Sequence, residues 1–320
     1  MLNDAITFKD LSVFPARDSD GIVGLIDRTH TGAGKDYLYQ HVKRPPSTYE
    51  ELCQLQDTIK FFAAHPEHWP AIITNGTLVM LEKFFEAANT ASAPPSGISL
   101  MFSEQFQKVF NKGEYFFTQF SLSHLADFLK GCRELVAISK LDNVPALLKA
   151  ELDAIQQELD NELAEILMTV TDATPFKEQA KLSYRARREI KNKVYRLMSH
   201  YSRLDAWQAM AKATTEHGWA FPELQPAQPV CFEAKGLVHP LLRQAKSYDI
   251  AFNEQQNFLL LTGANMSGKT TFMRSIGVAA LLAHLGMGVP ATQLRISFFK
   301  GIITNMHVED DLLKGESYFF

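Results

Sequence analysis

Residues 263–270 read Gly-Ala-Asn-Met-Ser-Gly-Lys-Thr, the pattern GxxxxGK[ST], and no other stretch of the chain limits its fold so tightly. Such a loop works between a strand and a helix, because backbone amides must converge on one anion and the first helical turn supplies some of them. The flanks meet that demand. Phe258-Leu259-Leu260-Leu261 is a short apolar run that predicts a buried strand, and Thr271 to Leu285 predicts a helix. Gly263 and Gly268 let the backbone pass close to phosphates with no Cβ in the way. Lys269 would place its ammonium on the β- and γ-phosphates, and the Thr270 hydroxyl would complete a Mg²⁺ shell. Gly263, Ala264, Asn265, Met266, Ser267, Gly268, Lys269 and Thr270 therefore form the candidate nucleotide site, with ATP and Mg²⁺ as expected ligands. The competing reading is a Gly-rich turn that binds nothing.

The chain's 320 residues allow two or three domains. A net charge of −4 gives no global basic field, so any nucleic-acid contact must be local. Cys53, Cys132 and Cys231 are far apart, match no metal-ligand spacing and read as reduced thiols of a cytoplasmic protein. Met1 to Phe14 carries Asp4, Lys9 and Asp10 where a signal peptide needs an apolar run. The longest apolar stretch, Gly277 to Ala283, is far short of a membrane span and reads as the buried face of the helix after the loop.

The first two hundred residues read as helical. Ser47 and Thr48 ahead of Glu50 and Glu51 give capping-box spacing, and Leu52, Leu55, Ile59 and Phe62 make one apolar stripe. Ala91 to Gly97 breaks the pattern as a loop, and a helical region follows at roughly Leu122 to Ala137. Leu152, Ile155, Leu159, Leu163 and Ile166 predict one long helix. Leu182, Ala186, Ile190, Val194, Leu197, Tyr201 and Leu204 predict a second, from Glu178 to His217. Some forty residues of helix would be roughly 60 Å long.

Charge is segregated between the two. Glu151 to Glu165 holds six acidic residues and no basic one, whereas the second helix is rich in Lys and Arg, including Arg185, Arg188 and Lys191. A basic helix could grip DNA phosphates, or an antiparallel acidic neighbour could neutralise it and water solvate the rest. Phe221 to Pro226 reads as a Pro-marked linker. Strands are expected at Cys231–Ala234, Arg295–Phe299 and Gly301–Asn305.

Three further stretches carry a resemblance. Thr262 to Arg274, with Asn-Met inside the loop, looks like an extended P-loop that includes Thr271. Val289-Pro290-Ala291 and Asp310-Asp311-Leu312-Leu313-Lys314-Gly315-Glu316-Ser317-Tyr318-Phe319 complete the set. Together they resemble the MutS family of DNA mismatch-repair ATPases, and Leu25 to Gly34 is similar to the opening of that family's core or lever domain. The resemblance implies a multidomain α and α/β architecture. An all-α lever-like domain with long helices would span 1–225, and the N-terminal part of a P-loop (ABC-type) NTPase domain 226–320. It also implies that Asn265 contacts nucleotide and that Tyr248 is a candidate for stacking on adenine. Ser317 would be a signature serine reaching the γ-phosphate held by a second copy. His239-Pro240 resembles the family's His-Pro, with a structural role expected.

The departures shape the expected function. The lever-like segment starts within thirty residues of Met1, so direct mismatch recognition is not expected, and Phe84-Phe85-Glu86 matches the family's Phe-x-Glu wedge by coincidence. An ATPase also needs an acidic strand end for Mg²⁺ and a water-orienting carboxylate; the family places both downstream of the Ser317 region, and the sequence ends at Phe320. A chain that binds ATP without hydrolysing it is therefore expected, as a truncated product or fragment. In the complete protein, ATP-driven homodimerisation would move helical levers on duplex DNA. The alternative is a helical scaffold or dimerisation module with a vestigial nucleotide site and no DNA role. A chromosome-maintenance type of ABC ATPase is disfavoured, because its coiled coils follow the P-loop whereas the helices here precede it.

Overall fold

A computed structural model of the chain describes residues 2–14, 21–87, 112–264 and 267–306. They fall into two compact units. One draws on Met1–Arg28, Asp36–Ala64 and Ala206–Phe320, the other on Thr29–Lys35 and His65–Asp205. The architecture is mostly α with a smaller α/β part.

The second unit is built from helices. Thr74 caps the helix Asn75–Glu86 by accepting from Thr77 N, while Thr77 Oγ1 accepts from Thr74 N. Phe84 and Phe85 lie fully buried on that helix, where neither could act as a wedge. The helix Lys112–Ala137 begins ten residues before the expected Leu122. The single long acidic helix expected from Leu152 to Ile166 is two helices, Ala146–Leu159 and Glu162–Met168. Asn161 makes the break: its side chain accepts from Leu163 N at 3.0 Å and Ala164 N at 3.3 Å, an N-cap that starts a new helix.

The basic segment holds together better. Helical backbone runs through Phe176–Arg185, a π-helical turn at Ala186–Ile190, and Lys191–Glu216. Every member of the predicted stripe from Leu182 to Leu204 is buried.

The first unit contains the sheet. Strand β1 (Leu2–Asn3) pairs in parallel with β6 (Gly301–Ile302). Strands β2 (Glu223–Gln225), β3 (Cys231–Leu237), β4 (Tyr248–Asn253) and β5 (Gln293–Ser297) form a mixed sheet in the order β2-β5-β3-β4. Phe232 and Ala234 of β3 alternate inward with Leu294 and Ile296 of β5, whereas Glu233, Lys235, Gln293 and Arg295 face outward. The stretch read as a linker thus contributes β2, which pairs with β5 through Glu223↔Arg295. Thr48 and Glu51 cap the helix Tyr49–Ala64, with the Glu51 carboxylate accepting from Ser47 N and Ser47 Oγ, and the stripe Leu52, Leu55, Ile59 and Phe62 is buried.

One expectation fails in this unit. Phe258–Leu261 is not a strand, and Phe258 and Leu260 are 82% and 76% exposed. An apolar run becomes a buried strand only when neighbours complete its hydrogen-bond ladder and cover its faces. No strand among the described residues pairs with it. Likewise, the strand expected at Gly301–Asn305 is shortened to Gly301–Ile302, because its partner β1 offers only two residues.

Candidate functional site

The helix Lys269–His284 starts where the loop pattern requires. Gly268 is its N-cap in the left-handed region, at φ 92°, with no side-chain cap on the first turn. A glycine there avoids the Cβ penalty and leaves the first amides of the helix facing outward. Gly263 is also at positive φ, 157°, and a Cβ added to it would sit 2.9 Å from Ser267 Oγ. Both glycines therefore answer to the backbone geometry of the loop. The Lys269 ammonium donates to Gly263 O at 2.7 Å and Ala264 O at 2.8 Å, closing the loop on itself. Thr270 is exposed at the start of the helix and Thr271 half-buried beside it. Asn265, Met266 and Ser317 lie outside the described residues.

This donor set fits a triphosphate with its metal. It combines uncapped amides at a helix N-terminus, an ammonium within one turn of them and an exposed hydroxyl next in sequence. Lys269 meets neutral carbonyl dipoles in the loop, so an anion offers it a stronger partner.

The rest of the helix is held from below. His284 at its last turn has Nδ1 against Ala280 O at 2.8 Å and Nε2 accepting from Phe299 N at 2.7 Å. That pair of contacts requires the neutral Nδ1–H tautomer. Burial pushes its pKa down to about 4. Tyr248, on β4, lies with its ring 4.5 Å from that of Phe272 and donates its hydroxyl to Phe272 O at 3.1 Å. Burial raises its pKa. His239 is buried and accepts at Nδ1 from Leu241 N; burial first, then the Arg274 charge, lowers its pKa.

In the other unit, the basic helix is largely engaged with its own surroundings. Arg196 forms a two-pronged pair with Glu158, at 2.5 and 2.9 Å. Arg203 pairs with Glu151, which also meets His200 Nδ1 at 2.6 Å. Arg185 is bidentate to Glu189, both bonds 2.9 Å. Arg188 lies over the Tyr184 ring at 4.8 Å, and Lys191 donates to Phe85 O at 3.2 Å. Thus Glu151 and Glu158 of the acidic helix partly neutralise the basic one. Arg188 remains exposed.

Two buried carboxylates give no signal in the sequence. Asp205 accepts from His30 and Thr31, and Asp10 from Thr304 and Met306. The partners are 174 or more residues away, so no spacing rule could have found them.

Comparisons with known proteins agree with the loop and its neighbours. A family model described as MutS domain V matches residues 259–320. The chain is 32% identical over 167 residues to the DNA mismatch repair protein MutS of Lawsonia intracellularis, covering 49% of this chain and 18% of that protein. It is 34% identical over 119 residues to DNA mismatch repair protein MutS 1 of Haloarcula marismortui, covering 36% and 13%. A third relative, DNA mismatch repair protein MutS of Oceanobacillus iheyensis, is 31% identical over 124 residues, covering 37% and 14%. Over the matched residues the chain is similar to MutS proteins of DNA mismatch repair, and over residues 259–320 to MutS domain V. It spans less than a fifth of the length of the curated relatives it matches. No helix among the described residues is long and apolar enough to cross a membrane.

Proposed function

We propose that this chain is a nucleotide-responsive MutS module of the P-loop NTPase fold, divided near residue 225 into a helical lever-like part and a nucleotide-binding part. Gly263 to Thr271 would hold ATP and Mg²⁺: the loop and first-turn amides on the phosphates, Lys269 on the β- and γ-phosphates, and the Thr270 hydroxyl on the metal. Bound, the triphosphate supplies a dense negative charge that the signature residue Ser317 of a second copy can engage. Two copies would then pair, and their helices would hold or release duplex DNA. The observation that carries this reading is the left-handed Gly268 opening an uncapped helix directly onto Lys269.

Fluorescent-ATP titration tests it. Lys269→Ala removes the ammonium from the phosphates, and charge-assisted bonds of about 1.5–3 kcal/mol set an expected loss of roughly tenfold to a hundredfold in affinity. An unchanged Kd would refute the proposal that this loop holds nucleotide.

A second reading, a helical scaffold with no DNA role, is favoured by the internal pairing of Arg185, Arg196 and Arg203. Salt-dependent anisotropy on labelled duplex separates the two. If the basic helix touches phosphates, reversing Arg185, Arg188 and Lys191 together should lower the log–log salt slope by up to about 3, near 0.9 for each phosphate no longer neutralised. Nucleotide binding through Lys269 with no duplex binding at any salt would select the scaffold.

A further inference from the structure

The helix Lys269–His284 begins with no side-chain cap, and an uncapped first turn leaves its amides unpaired and prone to fray. In this chain the fastening comes from the sheet. The Tyr248 hydroxyl, on β4, donates to Phe272 O at 3.1 Å, and the two rings lie 4.5 Å apart. Phe272 N in turn donates to Gly268 O at 2.9 Å, the bond that closes the first turn. Ser275, also beside the Tyr248 hydroxyl, donates to Thr271 O at 2.8 Å. One tyrosine therefore reaches, through Phe272, the left-handed glycine that opens the helix. Between Gly268 and Phe272 stand Lys269, Thr270 and Thr271, the residues proposed above to hold the phosphates and the metal.

Strand β4 is shaped to deliver this contact. Its pairing with β3 runs through Glu233↔Ala251 and Ala234↔Ile250, then skips to Leu237↔Tyr248. Three steps along β3 match two along β4, which is the extra residue of a β-bulge. Gly236 is left-handed there, at φ 61°, and its N–H donates to Asp249 Oδ1 at 2.8 Å. A Cβ on Gly236 would come within 2.9 Å of the Thr292 side chain. A bulge re-aims the side chains beside it, and the first residue to pair beyond this one is Tyr248.

We propose that Tyr248 is a positioning residue for the nucleotide loop. Its hydroxyl holds Phe272, and through it the first turn, so that the amides of 269–271 and the Lys269 and Thr270 side chains are preset for a triphosphate. This deepens the nucleotide reading given above and rests on it. It departs from the role the family resemblance implies for Tyr248: the tyrosine acts on the phosphates through the helix, not on the base by stacking. A preset turn spares the ligand the cost of ordering it, so phosphate affinity carries the signature.

The test is competition against a fluorescent ATP, with ATP, GTP and inorganic tripolyphosphate as competitors in Mg²⁺, for wild type, Tyr248→Phe and Lys269→Ala. Amide hydrogen exchange at Phe272 reads the turn directly, without nucleotide. Tyr248→Phe keeps the ring and loses the hydroxyl. It should weaken all three ligands by the same factor, about two- to tenfold for one hydrogen bond, and speed exchange at Phe272 comparably. A general loss of stability does not mimic this, because Kd is unaffected while the chain stays folded at the assay temperature. A loss confined to the nucleotides, with tripolyphosphate unaffected, would mean that the tyrosine meets the base, and would overturn the proposal. So would unchanged affinity, or unchanged exchange at Phe272. Asp249→Ala frees the bulge without touching the helix and should give a smaller loss in the same pattern; it carries the test if Tyr248→Phe does not fold. Lys269→Ala separates the two readings. Binding that needs Lys269 but ignores Tyr248→Phe sinks the positioning role alone, whereas indifference of every ligand to Lys269→Ala sinks the loop reading and this one with it.

Discussion

Asp205→Ala should destabilise the helical unit by about 3–5 kcal/mol, the range for stripping one partner from a buried charged cluster. Asp205 is fully buried and accepts four hydrogen bonds. His30 N at 2.9 Å and His30 Nδ1 at 3.1 Å meet one oxygen; Thr31 N at 3.0 Å and Thr31 Oγ1 at 2.7 Å meet the other. Thr31 in turn accepts from Gly34 N at 3.0 Å, so its hydroxyl caps the helix Gly32–Lys43 while donating to Asp205. The carboxylate thus sits at a helix N-terminus, where the macrodipole favours negative charge. Alanine would leave the His30 and Thr31 amides and the Thr31 hydroxyl without their acceptor, each costing about 1–3 kcal/mol when buried. Asp205→Asn should cost less, because one oxygen survives. The site also explains a glycine: a Cβ at Gly34 would overlap the Asp205 carboxylate, so Gly34→Ala should be destabilising in the same assay. Urea unfolding at pH 7 with an unchanged m-value is the measurement. A shift below about 1 kcal/mol for Asp205→Ala would mean that water replaces the carboxylate despite its burial.

Acid should destabilise the other unit well above the range where carboxylates titrate. His41 and His284 are both held at a pKa of about 4, chiefly by burial, against hydrogen bonds to the backbone of Leu285 and Ala280 that work the other way. In the unfolded chain each titrates near 6.5. Between those values the unfolded state takes up a proton that the folded state refuses. The stabilising contribution is therefore complete above about pH 6.5 and is lost as the pH falls toward about 4. With 1.36 kcal/mol per pH unit per proton, each histidine accounts for roughly 3 kcal/mol across the window. Urea midpoints between pH 7 and pH 4.5 should fall steeply. His41→Phe should remove about one proton's worth of slope, as should His284→Phe, although the latter also loses the bond to Phe299 N and should start from a lower stability at pH 7. An identical pH slope in both variants would show that other groups drive the transition.

Much of this protein was legible from local pattern. Glycines at 263 and 268 ahead of Lys269 predicted a helix beginning at the loop, and the helix begins there with Gly268 left-handed. Leu182 to Leu204 at steps of three and four predicted one buried face, and that face is buried through a π-helical turn that the stripe alone did not reveal. The paired acidic and basic helices were visible as charge segregation, which left open whether the basic side was free. Glu151 and Glu158 show that part of it is neutralised.

What the sequence determined by itself is the set of local commitments: helical periodicity, caps such as Thr48 with Glu51, and a loop whose glycines and lysine suit an anion. These depend on neighbours a few residues apart, and their energetics are written into spacing. Only the tertiary structure decided the rest. Phe258–Leu261 has every local mark of a strand yet stays exposed, since a strand exists only with partners beside it. Glu223–Gln225 looks like a linker and becomes β2, because Arg295 to Ser297 lies alongside. Asp10 and Asp205 carry no mark in the local sequence, yet they are buried acceptors on which distant segments converge. A carboxylate's worth depends on which donors surround it and how little water remains, and both are properties of chain segments that meet only after folding.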